Sequence, residues 1–565
     1  MYQEWIGLSV NQVFDYTCRT KGGDDALIGA DPKLTYADWQ RRVFQLSQGL
    51  RKLGIGRGTR VAHLMDNSVE WAQLFFALSR LGAITVPLNI TWVGRELVQS
   101  MELTDAEVLV TVEEFRSHRY LDMLAEALPG LASAEPGRLD LPELPHLKRV
   151  ITLSREGKPY PFADAFGEVM ASGADYRAEE MLAIGDAVEP EDDCLYLPTS
   201  GSTGFPKPVV HTHASFLANC SNYADALEFS AADRLLNYGP TYHVSGLLLL
   251  TMPCLRGGAV HQLNWFEPET AMRVIEKERI TVVWGFDIHY LSMRRHPRYA
   301  AYDLSSLERT VIGSNPGSFD EIASMGLPHQ GNVYGCSEYL ADFFPYRDRF
   351  DVARMRASHG RPMASVEQKI VDPATGGRVG PGVLGEICVK GPGLFTGYYK
   401  MPELTAQAMD DEGYFHTGDF GRMDEKGYLY YRGRLKDTVK SGGENVSARE
   451  VEIFLESETP WIATASVFGV PDRTWGEAVT AMVELRPGAQ TSESEVRAFC
   501  RGRLAAYKIP KRVVFVQRGD WAVTPTGKLD KPAMRELALK QLGLETADPA
   551  AEPTTDGGIA PEGQV

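Results

Sequence analysis

Residues 199–207 read Thr199-Ser200-Gly201-Ser202-Thr203-Gly204-Phe205-Pro206-Lys207, directly after the apolar run Leu195-Tyr196-Leu197. A strand-like run entering a hydroxyl- and glycine-rich loop that ends in lysine suits a polyphosphate. The glycines let backbone N–H groups come close, the hydroxyls add donors, and the lysine adds a point charge. The common nucleotide-triphosphatase loop needs Gly-Lys-Ser/Thr, and Pro206-Lys207-Pro208 stands in its place. The stretch therefore predicts a different way of using ATP, on a scaffold that the flanking sequence describes.

Upstream, short apolar strands alternate with amphipathic helices. Strands are expected at Arg60 to Leu64, Ile84 to Pro87 and Glu107 to Val112, with a helix from Val69 to Leu81. The alternation resumes with a helix at Ala271 to Glu278 and strands at Thr281 to Trp284 and Thr310 to Ile312. This is the pattern of α/β layers with parallel sheet. From about Arg361 the strand-like stretches, such as Glu386 to Val389 and Tyr428 to Tyr431, lie between Gly- and Asp-rich turns, which predicts a β-rich subdomain. Beyond Lys436 the expected order is helix (Ala448 to Glu456), strands (Ala465 to Val470, Ala478 to Leu485), helix (Ser494 to Leu504) and strand (Arg512 to Val516), a compact α+β unit. From Thr546 the chain is rich in Pro, Gly, Thr and acidic residues and reads as disordered.

With 565 residues more than one domain is expected. A net charge of −17 argues against nonspecific nucleic-acid binding, which needs basic surface. The seven cysteines are scattered and form no CxxC, which reads as free thiols in a reducing, cytoplasmic compartment. The N-terminus shows no signal-peptide pattern. The longest apolar run, near Val244 to Leu255, is too short to span a bilayer.

Four further stretches accompany the opening loop: Asn332-Val333-Tyr334-Gly335-Cys336-Ser337-Glu338; Tyr414-Phe415-His416-Thr417-Gly418-Asp419; Arg434-Leu435-Lys436-Asp437 leading into Lys440-Ser441-Gly442-Gly443-Glu444; and Pro525-Thr526-Gly527-Lys528. In this order and at these separations, all five resemble the adenylate-forming superfamily of acyl- and aryl-CoA synthetases, peptide-synthetase adenylation domains and firefly-type luciferases. The likeness runs from about Leu34 to Lys540 and leans toward fatty or aromatic acid–CoA ligases.

The resemblance implies an α/β fold: a large N-terminal domain of layered α/β subdomains plus a β-rich subdomain, with a small mobile α+β C-terminal domain. The expected boundaries are 1–433 for the large domain, 434–440 for the hinge and start of the small domain, 441–540 for the small domain and 541–565 for the tail. It implies an acid–thiol ligase that uses ATP, Mg²⁺ and CoA to convert a carboxylic acid to acyl-AMP and then to a thioester, with a homodimer as one assembly it allows. By resemblance Thr199, Ser200, Gly201, Ser202, Thr203, Gly204 and Lys207 hold phosphates, and Glu338 with Thr203 holds Mg²⁺. Ser337 bonds phosphate, Tyr334 and Gly335 with Gly313 and Ser314 contact adenine and AMP, and Asp419 with Arg434 takes the ribose. Lys528 would bridge the acid and the α-phosphate. Lys436 would be the hinge that exchanges Lys528 for the Gly442-Gly443 loop along a pantetheine path. His243, Tyr242, Phe286 and Tyr339 would border the acyl pocket.

Two departures stand out. Pro208 replaces the usual glycine after the loop lysine, removing a donor. Trp284-Gly285-Phe286-Asp287-Ile288-His289-Tyr290 replaces a Pro-containing turn beside the acyl site. Two look-alike motifs are set aside. Gly380 to Gly385 fits GxGxxG but carries Pro381 and leads into a strand. His211-Thr212-His213 has no Cys/His cluster around it and reads as a strand, not a metal pair. Two other functions remain open from sequence: an adenylating enzyme that loads a carrier protein, amine or oxygen acceptor, and a non-catalytic nucleotide- or acyl-binding relative. The identity of the acid is not written in these motifs, although apolar and small residues around the pocket favour a hydrophobic or aromatic group.

Overall fold

The computed structural model describes residues 5–29, 33–200, 206–313, 322–327, 330–434, 438–522 and 531–544. Two large sheets carry the first three hundred residues. One has eight strands, with Ile84–Pro87, Arg60–Leu64, Val108–Val112 and Arg149–Leu153 at its parallel centre. The other has seven, with Arg234–Asn237, Val282–Phe286 and Arg309–Gly313 running parallel. The strand Val108-Leu109-Val110-Thr111-Val112 is buried at every position, as both faces of a covered parallel sheet require.

The helices between them form for local reasons. Val69–Arg80 starts where the Ser68 hydroxyl accepts the Trp71 N–H at 3.2 Å, and it buries Trp71, Leu74, Phe75, Phe76 and Leu78. Val244–Arg256 is apolar nearly throughout and ends at Gly257, whose φ is +73. It begins directly after His243, which is its N-cap residue.

The β-rich part holds a three-stranded sheet, Val333–Cys336, Tyr339–Phe343 and Arg361–Pro362, and a four-stranded antiparallel sheet, Glu367–Val371, Gly385–Lys390, Phe415–Met423 and Leu429–Arg434. The small domain has a five-stranded sheet in which Ile462–Asp472 pairs with Gly476–Leu485, backed by helices Ala448–Glu458 and Glu493–Cys500. It has its own core around Val451, Leu455, Val467, Ala481 and Val496. The fold class is the expected one.

Two local expectations change. The helix expected over 494–504 ends at Cys500, because Arg501 turns to ψ 135 where Gly502 follows, a residue of poor helix propensity. The His211-Thr212-His213 strand ends at Thr212, whose hydroxyl caps the helix that His213 begins by accepting the Ser215 N–H at 3.1 Å. Gly380–Gly385 is a turn entering the strand Gly385–Lys390. Among the described residues no helix is long and apolar enough to cross a membrane.

Candidate functional site

The opening motif forms the arms of an antiparallel hairpin, Asp193–Ser200 against Pro206–Thr212, with Thr199 opposite Lys207 and Ser200 opposite Pro206. The Thr199 hydroxyl donates to the Lys207 carbonyl at 3.1 Å. Pro198 faces Pro208. Neither proline has an N–H, so the ladder loses bonds there. The Pro208 carbonyl instead accepts the Tyr399 N–H at 2.9 Å from the edge strand Gly397–Tyr398.

That edge strand brings in Tyr398, which the motifs did not single out. Its ring lies under the Lys207 ammonium, 5.0 Å from Nζ, and its hydroxyl donates to Glu338 Oε1 at 2.8 Å. Lys207, Tyr398 and Glu338 thus form one chain of contacts. His211 ties the same two elements together. Its Nε2 lies 2.8 Å from the Ser337 carbonyl and its Nδ1 lies 3.0 Å from the Ser215 hydroxyl. Burial pushes its pKa down, which keeps the ring neutral.

Tyr334, the second residue of the strand Val333–Cys336, is buried and donates its hydroxyl to Asp419 Oδ2 at 2.9 Å. Burial and the neighbouring Asp419 charge hold the phenol well above its usual pKa, so it stays a donor. Its ring lies 5.6 Å from that of Tyr431. Asp419 sits directly opposite Arg434 across the ladder. Gly335 continues the strand after Tyr334, and Gly313 ends its own strand opposite Phe286.

The glycine loop closes a hairpin between Thr438–Ser441 and Glu444–Ser447. Gly443 has φ +87, and a Cβ there would lie 3.4 Å from the Phe286 ring. Glu444, next in sequence, places Oε2 3.1 Å from His243 Nε2 and accepts the Tyr242 hydroxyl at 3.4 Å on Oε1. The strand Glu444–Ser447 also touches Asp193–Ser200, which leads into the lysine loop. The small domain is therefore docked with its glycine turn against the residues expected around the acyl pocket. Tyr339 begins the strand Tyr339–Phe343. It is buried, and its hydroxyl end faces Gly391, where an added Cβ would come within 2.8 Å of it.

A second domain contact is buried. Lys508 Nζ lies 2.9 Å from Glu96 of the large domain and 2.7 Å from Glu450 of the small one, beside Tyr507, whose hydroxyl accepts the Trp92 indole N–H at 3.2 Å. The sequence signal for this cluster was a lone lysine after a tyrosine, which carries no motif on its own.

Gly201, Ser202, Thr203, Gly204, Ser314, Asn315, Lys436 and Lys528 lie outside the described residues, as does the side chain of Arg434.

The chain matches the AMP-binding enzyme family over residues 14–399 and the AMP-binding enzyme C-terminal domain over residues 450–528. A feruloyl-CoA synthase from an Amycolatopsis species is 34% identical over 508 residues, 89% of this chain and 93% of that one. The human mitochondrial medium-chain acyl-CoA ligase ACSF2 is 28% identical over 549 residues, 95% of this chain and 88% of that one. The solved structure of the amide bond synthetase McbA from Marinactinospora thermotolerans superposes with a TM-score of 0.79 at 28% identity, covering 94% of this chain and 99% of McbA. By the extent of these matches, this chain belongs to the AMP-binding enzyme family.

Proposed function

We propose that this protein is an AMP-forming acid–CoA ligase. A carboxylate oxygen attacks the α-phosphate of ATP and pyrophosphate leaves. The CoA thiol then attacks the acyl carbonyl of the acyl-AMP and AMP leaves. The first step brings two anions together, so cations and oriented dipoles must stand where charge accumulates. Lys207 meets that need on one side, and Lys528 is assigned to the other by its Pro-Thr-Gly-Lys setting. Glu338, a hard oxygen ligand already oriented by Tyr398, fits Mg²⁺, with the Thr203 hydroxyl as its partner. Asp419 takes the ribose hydroxyls and Tyr334 the adenine face.

One observation supports the thioester half above others: the Gly442-Gly443 turn sets Gly443 against Phe286, with Glu444 on His243. A turn without side chains at that place leaves room for a narrow pantetheine arm beside the acyl carbonyl. Trp284, Phe286 and Tyr242 make the surroundings aromatic, and the Trp284 and Phe286 rings lie 5.0 Å apart. This favours a hydrophobic or aromatic acid. The same reading has the enzyme working in the cytoplasm, where its seven free thiols stay reduced. An amine acceptor is the second reading, favoured by the likeness to McbA.

The test is a pyrophosphate-release screen over fatty and aromatic acids, followed by AMP release with CoA or with amines. Acid-dependent pyrophosphate and CoA-dependent AMP support the ligase. AMP release with amines alone supports the second reading.

A further inference from the structure

Away from the phosphate loop, ligand atoms of Glu386, Cys388 and His416 lie within 4.8 Å of one another. Cys388 and His416 face each other on paired strands, with Sγ 3.6 Å from Nδ1. The groups' present bonds argue against a metal centre. Both Glu386 oxygens are engaged: Oε1 accepts the Gly418 N–H at 3.0 Å and Oε2 lies 2.9 Å from His416 Nδ1. Burial and the Glu386 charge push the Cys388 thiol up to about 12, so in these surroundings it holds its proton at neutral pH.

The ladder shows what the cluster does instead. Glu386 pairs with Phe420 and Cys388 with His416, so Ile387 alone faces Thr417, Gly418 and Asp419. The strand bulges there, and bulged backbone groups lose their cross-strand partners. Side chains replace them. Glu386 takes the Gly418 N–H, the Thr417 hydroxyl takes the Asp419 N–H at 3.1 Å, and the same hydroxyl donates to the Ile387 carbonyl at 2.7 Å. Gly418 adopts φ +70, which a residue with a Cβ rarely does. His416 steadies Glu386 and has Asp410 3.8 Å from its other ring nitrogen.

We propose that Glu386 is a positioning residue for the nucleotide: by holding the Gly418 N–H it fixes the bulge that presents the Asp419 carboxylate to the ribose. The inference rests on the proposed assignment of Asp419 to the ribose. Glu386 touches no substrate and acts through one backbone bond and one turn.

The test measures AMP affinity by calorimetry, KM for ATP and KM for the acid, with thermal melts as a folding control. The variants are Glu386→Ala, Glu386→Gln, Asp419→Ala and the double variant Glu386→Ala/Asp419→Ala. Glu386→Ala should weaken AMP binding about tenfold, the loss of one charge-assisted bond, and raise KM for ATP in step with it. KM for the acid should hold. Glu386→Gln keeps an amide oxygen for Gly418 and should return to within about threefold of wild type. The double variant should bind no more weakly than Asp419→Ala, because the two act on one event. If Glu386→Ala does not fold, Glu386→Asp keeps the charge but falls short of Gly418 and carries the same test.

Additive losses in the double variant, or an equal rise in both KM values, would overturn the inference. So would unchanged AMP affinity in Glu386→Ala while Asp419→Ala loses it, which leaves the ribose assignment standing. An unaffected Asp419→Ala removes the ribose assignment and this inference together. Zn²⁺ binding abolished by Cys388→Ser would overturn it by giving the cluster another occupation.

Discussion

Glu444 of the small domain faces His243 of the large domain, with Oε2 3.1 Å from Nε2. The imidazole is 42% exposed and the carboxylate 17%, so the pair is only partly shielded and its strength is modest, below about 1 kcal/mol. Its value is in orientation. Glu444→Gln should slow CoA-dependent AMP release several-fold and leave acid-dependent pyrophosphate release near wild type. Separate assays of the two half-reactions check this, and equal loss in both would count against a docking role.

Gly443 adopts φ +87 and lies against Phe286. Gly443→Ala adds backbone strain of about 1 kcal/mol and a methyl group at the Phe286 ring. The expected result is a CoA step slowed about tenfold, more than the strain alone would give, with adenylation retained. Stopped-flow transfer from preformed acyl-AMP is the measurement.

Lys508 is a buried link between the two domains. Burial alone would lower its pKa, but Tyr507, Glu96 and Glu450 outweigh that and raise it. Burial lifts the Glu450 carboxyl, with Lys508 opposing. Lys508→Met leaves two carboxylates facing each other without a cation and should cost about 3 kcal/mol in urea unfolding. Adding Glu96→Gln to Lys508→Met should recover part of the loss. A double variant no more stable than Lys508→Met would show that the two groups are not coupled.

Acid should destabilise the large domain through its buried histidines. His63 and His213 are 1% and 0% exposed, and burial lowers their pKa values from 6.5 to about 3 and about 4. The unfolded chain therefore takes up protons as pH falls through the normal imidazole value, while the folded chain does not. Their contribution is fully present above that value and is lost toward the folded ones, by about 2 kcal/mol per histidine between roughly pH 6.5 and 5. Urea midpoints over this range check the slope, and His63→Gln should flatten it by about one proton's worth.

The strands and helices of the large domain were legible because their apolar periods are clean. Arg60 to Leu64 and Ile84 to Pro87 read as strands and form them at those bounds. Tyr334, Glu338, Asp419 and the glycine turn were legible because their spacing follows family motifs. Tyr398, Glu444, Lys508 and Glu386 were not, since each works through a partner remote in sequence: Glu338 is 60 residues from Tyr398 and Glu96 is 412 from Lys508. Glu386 is a strand residue by pattern, and only the bulge opposite it gives its carboxylate a task. No local periodicity encodes such pairings.

Acid activation on a nucleotide followed by transfer to a thiol is the reaction sequence of this one chain. Its most direct measurement is labelled pyrophosphate exchange into ATP across an acid panel, read beside AMP formation with and without CoA. Exchange is expected with at least one hydrophobic or aromatic acid, and AMP release is expected to require CoA. Exchange absent for every acid, or AMP formed at the same rate without CoA or any other acceptor, would contradict it.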